Sequence, residues 1–247
     1  MTLDIPTDLI ERLRQANRVV ALTGAGISAE SGVPTFRDAQ TGLWEQYQPD
    51  DLATRQAFQR NPKVVWDWYA WRRQLVAGVE PNPGHRALVA LAASVPDFCL
   101  ITQNVDGLHQ RAGSRDVIEL HGNIFRTKRW RDNRVVEHWD ADGEMPPRCP
   151  DTGDLLRPDV VWFGESLPAG ALRKAEAVSE SCDVFFSIGT SSAVYPAAGL
   201  PFLALRHGAC VVEVNPQPTA LSDAAHYVLR GAAGELLPRL VNKLMAH

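Results

Sequence analysis

Short apolar runs alternate with amphipathic stretches along most of the chain, and this alternation predicts the fold. Strand-like runs of mostly apolar residues cover 19–22, 97–102, 116–120, 160–163, 183–188, 209–214 and 226–229. Stretches with helical spacing of apolar residues cover 7–17, 85–93, 169–180, 197–207 and 235–245. Because strands and helices that alternate in this way build parallel sheets, the pattern predicts an α/β domain with helices on both faces of a parallel sheet.

Two segments interrupt this alternation. Residues 38–80 contain helical patterns with no strand between them, and Asn61-Pro62 is a typical start for one of these helices. Residues 122–158 are charged, rich in Trp, Arg and Asp, and have no sustained apolar period. We therefore predict a single domain over 1–247, in which a helical excursion (38–80) and a small inserted module (122–158) interrupt the sheet-containing core.

Composition and charge narrow the class of protein. The 247 residues are 45% apolar, which is enough for a full core, and the net charge of −4 gives no basic footprint for nucleic acid. No apolar run is long enough to span a bilayer, and the first residues lack the pattern of a signal peptide, so we expect no membrane partner. Four scattered cysteines without paired spacing predict reduced thiols and a cytoplasmic location.

The first strand leads directly into a glycine-rich loop, Gly24-Ala-Gly-Ile-Ser-Ala29. This loop fits the pattern G-x-G-x-x-G/A, in which the glycines allow a tight turn and the next helix points its N-terminus at a pyrophosphate. The acidic residue that usually contacts a ribose about twenty residues later is missing. Ser31-Gly-Val-Pro34 ends the helix almost at once, which favours a loop that covers a bound dinucleotide and brings Phe36 and Arg37 to it.

Further polar residues follow the other predicted strands. Parallel strands end at a common edge of the sheet, where open α/β sheets bind their ligands. The candidates are Gln103, Asn104, Asp106, His121, Gly189, Thr190, Ser191, Asn215 and, at the start of the last helix, Ala233. Each of these residues also has a purely structural explanation, such as an Asx turn or a histidine that only stabilises the fold. A single dinucleotide that spans the edge explains all of them together.

Taken in order, these segments resemble the sirtuins. The matching motifs are Gly24-Ala-Gly-Ile-Ser-Ala-Glu-Ser-Gly-Val-Pro-Thr-Phe-Arg-Asp38, Thr102-Gln-Asn-Val-Asp-Gly-Leu-His109, His121-Gly122, Val160-Val-Trp-Phe-Gly-Glu165, Gly189-Thr-Ser191 and Val214-Asn215. The resemblance extends over nearly the whole chain. It implies a Rossmann-like, NAD-binding fold, with NAD as co-substrate for the removal of acyl groups from the lysines of proteins or peptides.

The resemblance also implies roles for individual residues. Arg37, Asn104, Asp106 and His121 would be catalytic. NAD would be bound by Gly24, Ala25, Gly26, Ala29, Phe36, Arg37, Gln103, Asn104, Asp106, Gly189, Thr190, Ser191, Asn215 and Ala233. The acyl-lysine oxygen would attack C1′ of the nicotinamide ribose, and nicotinamide would leave. His121 would then act as general base on a ribose hydroxyl, and the products would be free lysine and O-acyl-ADP-ribose.

The substrate peptide would be added as a strand beside the segment 160–165. In this segment, the resemblance implies that Val161, Trp162, Phe163, Gly164 and Glu165 bind the substrate.

The inserted module departs from the family pattern. Sirtuins commonly hold a structural zinc there with two Cys-x-x-Cys pairs. Here the first pair is replaced by Arg129-Trp-Arg-Asp132, and the second reads Cys149-Pro-Asp-Thr152. Tetrahedral zinc needs four ligands, and His138 with Asp132 would be a poor substitute, so we expect no metal. Packing by Trp130 and Trp139, together with Arg–Asp pairs, would hold the module instead.

Tyr69 and Arg72 stand three residues apart in a predicted helix and therefore share a face. The pair resembles the Tyr-x-x-Arg of sirtuins that remove succinyl and malonyl groups. A guanidinium matches a carboxylate with two hydrogen bonds, and a tyrosine hydroxyl adds a third. The alternative is a solvated arginine on an amphipathic helix. We expect a desuccinylase and demalonylase with some deacetylase activity.

Rival functions on the same scaffold are a mono-ADP-ribosyltransferase or NAD hydrolase, and a silent module that binds NAD or ADP-ribose. Transfer of ADP-ribose to protein or water does not need the base His121, so its presence favours deacylation. Asn104, Asp106 and His121 together argue against a silent module. A dehydrogenase is not favoured, because no segment resembles a hydride-acceptor site and the motifs come in a different order.

Overall fold

A parallel sheet forms the centre of the protein in the computed structural model, which describes residues 5–34, 52–140 and 143–246. Its strands are β1 (Arg18–Thr23), β2 (Asp97–Thr102), β3 (Ile118–Glu119), β6 (Val184–Ile188), β7 (Cys210–Val214) and β8 (Tyr227–Leu229). Their spatial order is β3-β2-β1-β6-β7-β8, and every neighbouring pair is parallel. The predicted Rossmann-like α/β architecture is confirmed.

Helices cover both faces of this sheet. Along the chain, the helices of the described residues are α1 (Thr7–Gln15), α2 (Gly26–Ala29), α3 (Arg55–Arg60), α4 (Pro62–Ala77), α5 (Pro83–Ser94), α6 (Leu108–Ala112), α7 (Ala169–Glu180), α8 (Leu200–Arg206) and α9 (Ala233–Met245). Successive β1 side chains enter two cores, because strand residues alternate between faces. Val19 joins the core that holds Leu88 and Leu240, whereas Val20 joins the core that holds Ala175 and Ala204.

The helix starts follow local capping chemistry. Asn61 caps α4 by accepting a hydrogen bond from the N–H of Val64, and Pro62 supplies the first residue, as the sequence predicted. Helix α1 begins at Thr7, as the helical spacing over 7–17 predicts, and Pro6 stands at the cap position. No helix in the described part of the chain is long and apolar enough to cross a membrane.

The interrupting segments lie together beside the sheet. Strands β4 (Gly122–Arg129) and β5 (Leu156–Val160) pair antiparallel as a separate two-stranded sheet. The strand predicted over 160–163 is therefore wrong in position, since β5 ends at Val160. Beyond it the chain turns to helix α3, and the N–H of Phe163 donates to the carbonyl of Ala53. The predicted limits of the helical excursion and the module stay predictions, because residues 35–51 are not described.

Aromatic side chains join the small sheet to α3 and α4. Trp130 packs on Phe58 with ring centroids 4.9 Å apart, and Trp139 packs on Trp66 at 5.4 Å. The indole of Trp66 also donates to the backbone carbonyl of Leu156 at 2.8 Å. The predicted role of Trp130 and Trp139 as packing anchors is confirmed.

Candidate active site

The carboxyl edge of the parallel sheet gathers most of the residues that the sequence singles out. Gly24 follows β1, Gln103 follows β2, His121 comes two residues after β3, Gly189 follows β6 and Asn215 follows β7. Strands β2 and β3 lie on one side of β1, whereas β6, β7 and β8 lie on the other side, so the strand order reverses between β1 and β6. Ligands of open α/β sheets bind in the crevice at such a switch point. We therefore expect an extended ligand to bind in the crevice at this edge, which is called the cleft below.

The loops after β1 and β6 touch each other at this switch point. The N–H of Gly24 donates to Ile188, and the N–H of Gly26 donates to the carbonyl of Gly189 at 2.8 Å. A Cβ at Gly26 would lie 2.7 Å from that carbonyl oxygen, so a side chain has no room there. Gly189 also has φ of +57°, which favours glycine. The two loops form a floor of backbone without side chains, which lets a ligand as bulky as a pyrophosphate come close to the main chain.

Further contacts join the loops along the same edge. The amide of Asn215 donates to the carbonyl of Thr190 at 2.8 Å, and the amide of Gln103 donates to the hydroxyl of Thr190 at 3.0 Å. Ala233 is buried at the first turn of α9, and Ser191 is partly exposed beside the cleft. Hydrogen bonds therefore connect the candidate residues that follow β2, β6 and β7 along this edge of the sheet.

Asn104 and Asp106 are held by the glycine loop of β1. The amide of Asn104 donates to the carbonyl of Gly24 and to the hydroxyl of Ser28, both at 3.1 Å. Ser28 in turn donates to Asp106 at 2.7 Å. Burial raises the pKa of Asp106, although hydrogen bonds from Leu108 and Ser28 oppose this shift. The network fixes both side chains and ties the β2 loop to the β1 loop.

A second buried polar group lies under this network and was not predicted. The hydroxyl of Thr23 and Nε2 of His109 are 2.8 Å apart, and the rings of His109 and His85 are 4.9 Å apart. His85 also approaches Ser28, with Nε2 and the hydroxyl 3.4 Å apart. Burial lowers the pKa of His85 to about 4 and that of His109 to about 3. Thr23, His85 and His109 show no periodicity or spacing that distinguishes them from core residues, so only the structure identifies them.

His121 has the geometry of a base. Its Nδ1 lies 2.8 Å from the backbone carbonyl of Gln103, which accepts the ring proton. This contact leaves Nε2 as the unprotonated nitrogen of the neutral ring. Burial lowers the pKa of His121 below its usual value. A neutral histidine whose Nδ1 proton is already engaged keeps Nε2 as the nitrogen that is able to accept a proton.

Tyr69 and Arg72 are buried in α4, with side chains on one face. Their exposed fractions are 1% and 8%, which rules out a solvated arginine. Burial raises the pKa of Tyr69 to about 12, so its hydroxyl stays protonated. Burial is also the main influence on Arg72, whose pKa it lowers, while the nearby carboxylate of Asp106 acts in the opposite direction. Arg72 lines a small hollow together with Val33, Pro34 and other apolar residues.

The segment 161–165 contains both residues that turn inward and residues that are exposed. Trp162 is 1% exposed, whereas Phe163 is 46% exposed. The carboxylate of Glu165 also points inward, since it accepts hydrogen bonds from Arg157 at 2.6 and 2.9 Å and from the N–H of Trp162 at 2.9 Å. Val161, Phe163 and Gly164 therefore form the accessible part of the predicted peptide edge, and Trp162 and Glu165 support it from below.

The inserted module does not fit a zinc ion. The side chain of Arg129 contacts both carboxylate oxygens of Asp132, with Nε 3.0 Å from Oδ1. A guanidinium at this position repels a divalent cation and occupies the carboxylate that would be needed as a ligand. Within the described residues, no group of three or more His, Cys, Asp or Glu is arranged to hold a metal. All four cysteines are free thiols, and Cys149, Cys182 and Cys210 are buried.

Phe36 and Arg37, which were predicted to reach the cofactor, lie outside the described residues, as does Asp38. Ala29 is exposed at the end of α2. The remaining candidates lie at the carboxyl edge, in α4, or in the segment 161–165.

Comparison with known proteins agrees with this arrangement. A model described as "Sir2 family" matches residues 24–196. An "NAD-dependent protein deacylase" from Ralstonia nicotianae is 54% identical over 230 residues, which cover 93% of this chain and 93% of that protein. An "NAD-dependent protein deacylase 1" from Pseudomonas aeruginosa is 51% identical over 243 residues, covering 95% of this chain and 97% of that protein.

Solved structures give the same picture. A Sir2 homologue in complex with NAD superimposes with a TM-score of 0.91 at 45% identity, covering 98% of this chain and 94% of that one. A triple mutant of a Sir2 homologue in complex with 2′-O-acetyl ADP-ribose superimposes with a TM-score of 0.90 at 45% identity, covering 97% of this chain and 96% of that one.

Proposed function

Because the chain belongs to the Sir2 family, we propose that it is an NAD-dependent protein deacylase that removes succinyl and malonyl groups, as well as acetyl groups, from lysine. The general activity is that named for its relatives, and two of them exceed 50% identity over more than 90% of this chain. One observation supports the proposed removal of succinyl and malonyl groups: Tyr69 and Arg72 are buried on one face of α4.

The cleft along the carboxyl edge suits NAD. The glycine floor would accept the pyrophosphate, and Asn215, Thr190 and Ser191, which follow β6 and β7 at the same edge, would contact the second ribose. Ala25 and Ala233 would add backbone contacts. When bound, NAD would supply an electrophilic ribose carbon, C1′, which would form a bond to the acyl oxygen as its bond to nicotinamide breaks. The protein has to orient that ribose and keep water from it.

Asn104 and Asp106 would position the nicotinamide end of the ligand. Both side chains are at least nine-tenths buried and fixed by hydrogen bonds, so they lose little conformational freedom when the ligand binds. Gln103 contributes twice, since its side chain bonds Thr190 and its carbonyl orients His121.

His121 would act as the general base of the transfer. Its Nδ1 proton is engaged by the carbonyl of Gln103, so Nε2 is the nitrogen that accepts a proton from a ribose hydroxyl. The hydroxyl oxygen would then attack the imidate carbon, the bond from that carbon to the lysine nitrogen would break, and addition of one water would complete O-acyl-ADP-ribose. The proton taken up by His121 returns to solvent or to the departing lysine amine.

Arg72 and Tyr69 would bind the carboxylate at the far end of a succinyl or malonyl group. A guanidinium and a phenol in a buried pocket together satisfy an anionic acyl chain, which a purely apolar acetyl pocket leaves unpaired. The accessible edge at Val161, Phe163 and Gly164 would pair with the extended backbone of the substrate. We expect the enzyme to act in the cytoplasm, which cell fractionation would test.

The test is one lysine peptide offered in acetylated, succinylated and unmodified forms with NAD. We expect nicotinamide release and acyl loss with both acyl forms, with faster removal of succinyl and formation of O-succinyl-ADP-ribose. Removal of acetyl alone would contradict the acyl range and retain the deacylase. Nicotinamide release without acyl loss would replace the proposal with ADP-ribosyl transfer or NAD hydrolysis, and binding of NAD without any reaction would replace it with a silent module.

A further inference from the structure

The indole of Trp162 and the phenol of Tyr69 are joined by a hydrogen bond that spans 93 positions of the sequence. Nε1 of Trp162 lies 2.9 Å from the hydroxyl oxygen of Tyr69, and both side chains are 1% exposed. Trp162 belongs to the segment that follows β5, and Tyr69 belongs to α4. The contact therefore connects the segment 161–165, which is predicted to bind the substrate peptide, with the Tyr69–Arg72 pair, which is proposed to bind the acyl group.

The direction of this bond is fixed by chemistry. An indole N–H can only donate, so the tyrosine oxygen is the acceptor. A phenolic proton prefers the plane of its ring and has two positions there. Because the indole N–H occupies one side of the oxygen, the proton of Tyr69 is directed to the other side. Tyr69 is thus set as a donor before any ligand arrives.

Trp162 is itself held on two sides. The guanidinium of Arg157 stacks on its ring, with Cζ 3.4 Å from the centroid, and Arg157 is fully buried. Arg157 forms an ion pair with Glu165, whose carboxylate also accepts the backbone N–H of Trp162. A cation over the ring face withdraws electron density from it and strengthens the N–H as a donor. The ring has little freedom to rotate away from Tyr69.

We propose that Trp162 is a positioning residue for acyl selectivity, which fixes the Tyr69 hydroxyl as a hydrogen-bond donor toward the carboxylate of a succinyl or malonyl group. This inference rests on the proposed function of Tyr69 and Arg72. Trp162 does not touch the acyl group and acts only through Tyr69. An acetyl group has no carboxylate to receive the bond, so the effect is specific for acidic acyl groups.

A double-mutant cycle separates this role from simple packing. We expect Trp162→Phe, which keeps the ring plane and removes the N–H, to lower kcat/KM for a succinyl-lysine peptide roughly three- to tenfold, mainly through KM. The loss on the acetylated peptide should be clearly smaller, because an acetyl group has no carboxylate for the Tyr69 hydroxyl to bind. In a Tyr69→Phe background the same substitution should have no further effect, because there is no hydroxyl left to orient.

Trp66→Phe is the matched control. Trp66 is also a fully buried indole, but its N–H donates to the carbonyl of Leu156. Loss of that bond should affect both acyl substrates equally. In the protein itself, the indole N–H signal of Trp162 in a ¹⁵N-labelled spectrum should shift when Tyr69 is replaced by Phe, whereas the signal of Trp66 should not.

The outcomes are distinguishable. Equal losses on both peptides for Trp162→Phe, or an undiminished loss in the Tyr69→Phe background, would overturn the role of Trp162 and leave the proposed function standing. An unchanged indole signal of Trp162 in Tyr69→Phe would also overturn it. If the wild type does not remove succinyl groups at all, the proposed acyl range fails, and the inference fails with it.

Discussion

The Nδ1 atom of His121 lies 2.8 Å from the backbone carbonyl oxygen of Gln103, although 18 residues separate them in the chain. The carbonyl follows β2 and the imidazole follows β3, so the pairing of these two strands brings them together. The consequence is a defined tautomer. A base whose free nitrogen is fixed in this way needs no rearrangement before it accepts a proton.

The pH dependence of deacylation should reflect this environment. His121 must be neutral to act as a base, and burial lowers its pKa. Activity should therefore be retained as the pH falls through the ordinary histidine value of 6.5 and should decline only below it. The measurement is kcat/KM for acyl transfer between pH 5 and 9. An acid limb centred at or above 6.5 would contradict a buried, neutral base.

Replacement of the same residue tests its chemistry. We expect His121→Asn to lower kcat by roughly 10²- to 10⁴-fold, the usual contribution of general-base catalysis. Affinity for NAD, measured by calorimetry, should change little, because His121 is not part of the glycine floor. A variant that keeps most of its deacylase activity would rule out His121 as the base.

Arg72→Met should separate the two classes of acyl group. A succinyl carboxylate left without its partner in a buried pocket costs about 2–5 kcal/mol, so activity on succinyl-lysine should fall by about two orders of magnitude or more. Activity on acetyl-lysine should be spared. Parallel assays on the two peptides decide the matter, and equal losses on both would assign Arg72 a structural role.

The buried histidines should make stability depend on pH. The folded state keeps His85 and His109 neutral, with pKa values of about 4 and about 3, whereas the unfolded chain takes up protons below its value of 6.5. The contribution of these two histidines to the free energy of unfolding is therefore fully present above pH 6.5 and is lost progressively as the pH falls below that value. At pH 5 the loss is about 2 kcal/mol for each histidine.

Urea unfolding at pH 7 and pH 5 measures this loss. His109→Asn should remove about 2 kcal/mol of the difference between the two pH values, although it lowers stability at both. The exposed His138, changed in the same way, controls for the loss of a histidine. A pH dependence that is identical in His109→Asn and the wild type would show that His109 is not held neutral.

Gly26→Ala should damage the cofactor cleft. Its Cβ would meet the carbonyl oxygen of Gly189 at 2.7 Å and the Cα at 2.8 Å, and neither backbone atom can move cheaply. We expect NAD affinity to fall at least tenfold and stability to fall by about 1–3 kcal/mol. Gly170→Ala is the control, because a Cβ there meets nothing within 4 Å. Wild-type affinity for NAD in Gly26→Ala would contradict the proposed floor.

The inserted module should be indifferent to metal removal. Arg129 pairs with Asp132 at the positions where the family pattern has its first two cysteines. We expect a chelator to change neither the melting temperature nor the activity. Conversely, Arg129→Cys, Asp132→Cys and Thr152→Cys together with Cys149 should create a four-thiolate site that takes up one zinc ion. Wild-type protein that purifies with stoichiometric zinc would contradict the ion-pair interpretation.

The sequence alone determined the order and type of the main elements and the edge at which the candidates meet. Apolar runs of strand length and the glycine loop after β1 are local signals, because each depends on neighbouring residues. Helix α7 was predicted with the bounds that it has in the structure, Ala169–Glu180. The Tyr-x-x-Arg spacing likewise placed Tyr69 and Arg72 on one helix face, since three residues nearly complete a turn.

Only the tertiary structure decided which distant groups meet. The strand predicted over 160–163 ends at Val160, because Phe163 bonds the backbone of Ala53 instead of continuing the ladder. Trp162 turns inward to Tyr69, and Ser28 joins Asp106 across 78 positions. Such contacts leave no periodic trace in the chain, because they depend on how separate elements pack. The sequence therefore determined the components of the site, and packing determined their orientation and protonation.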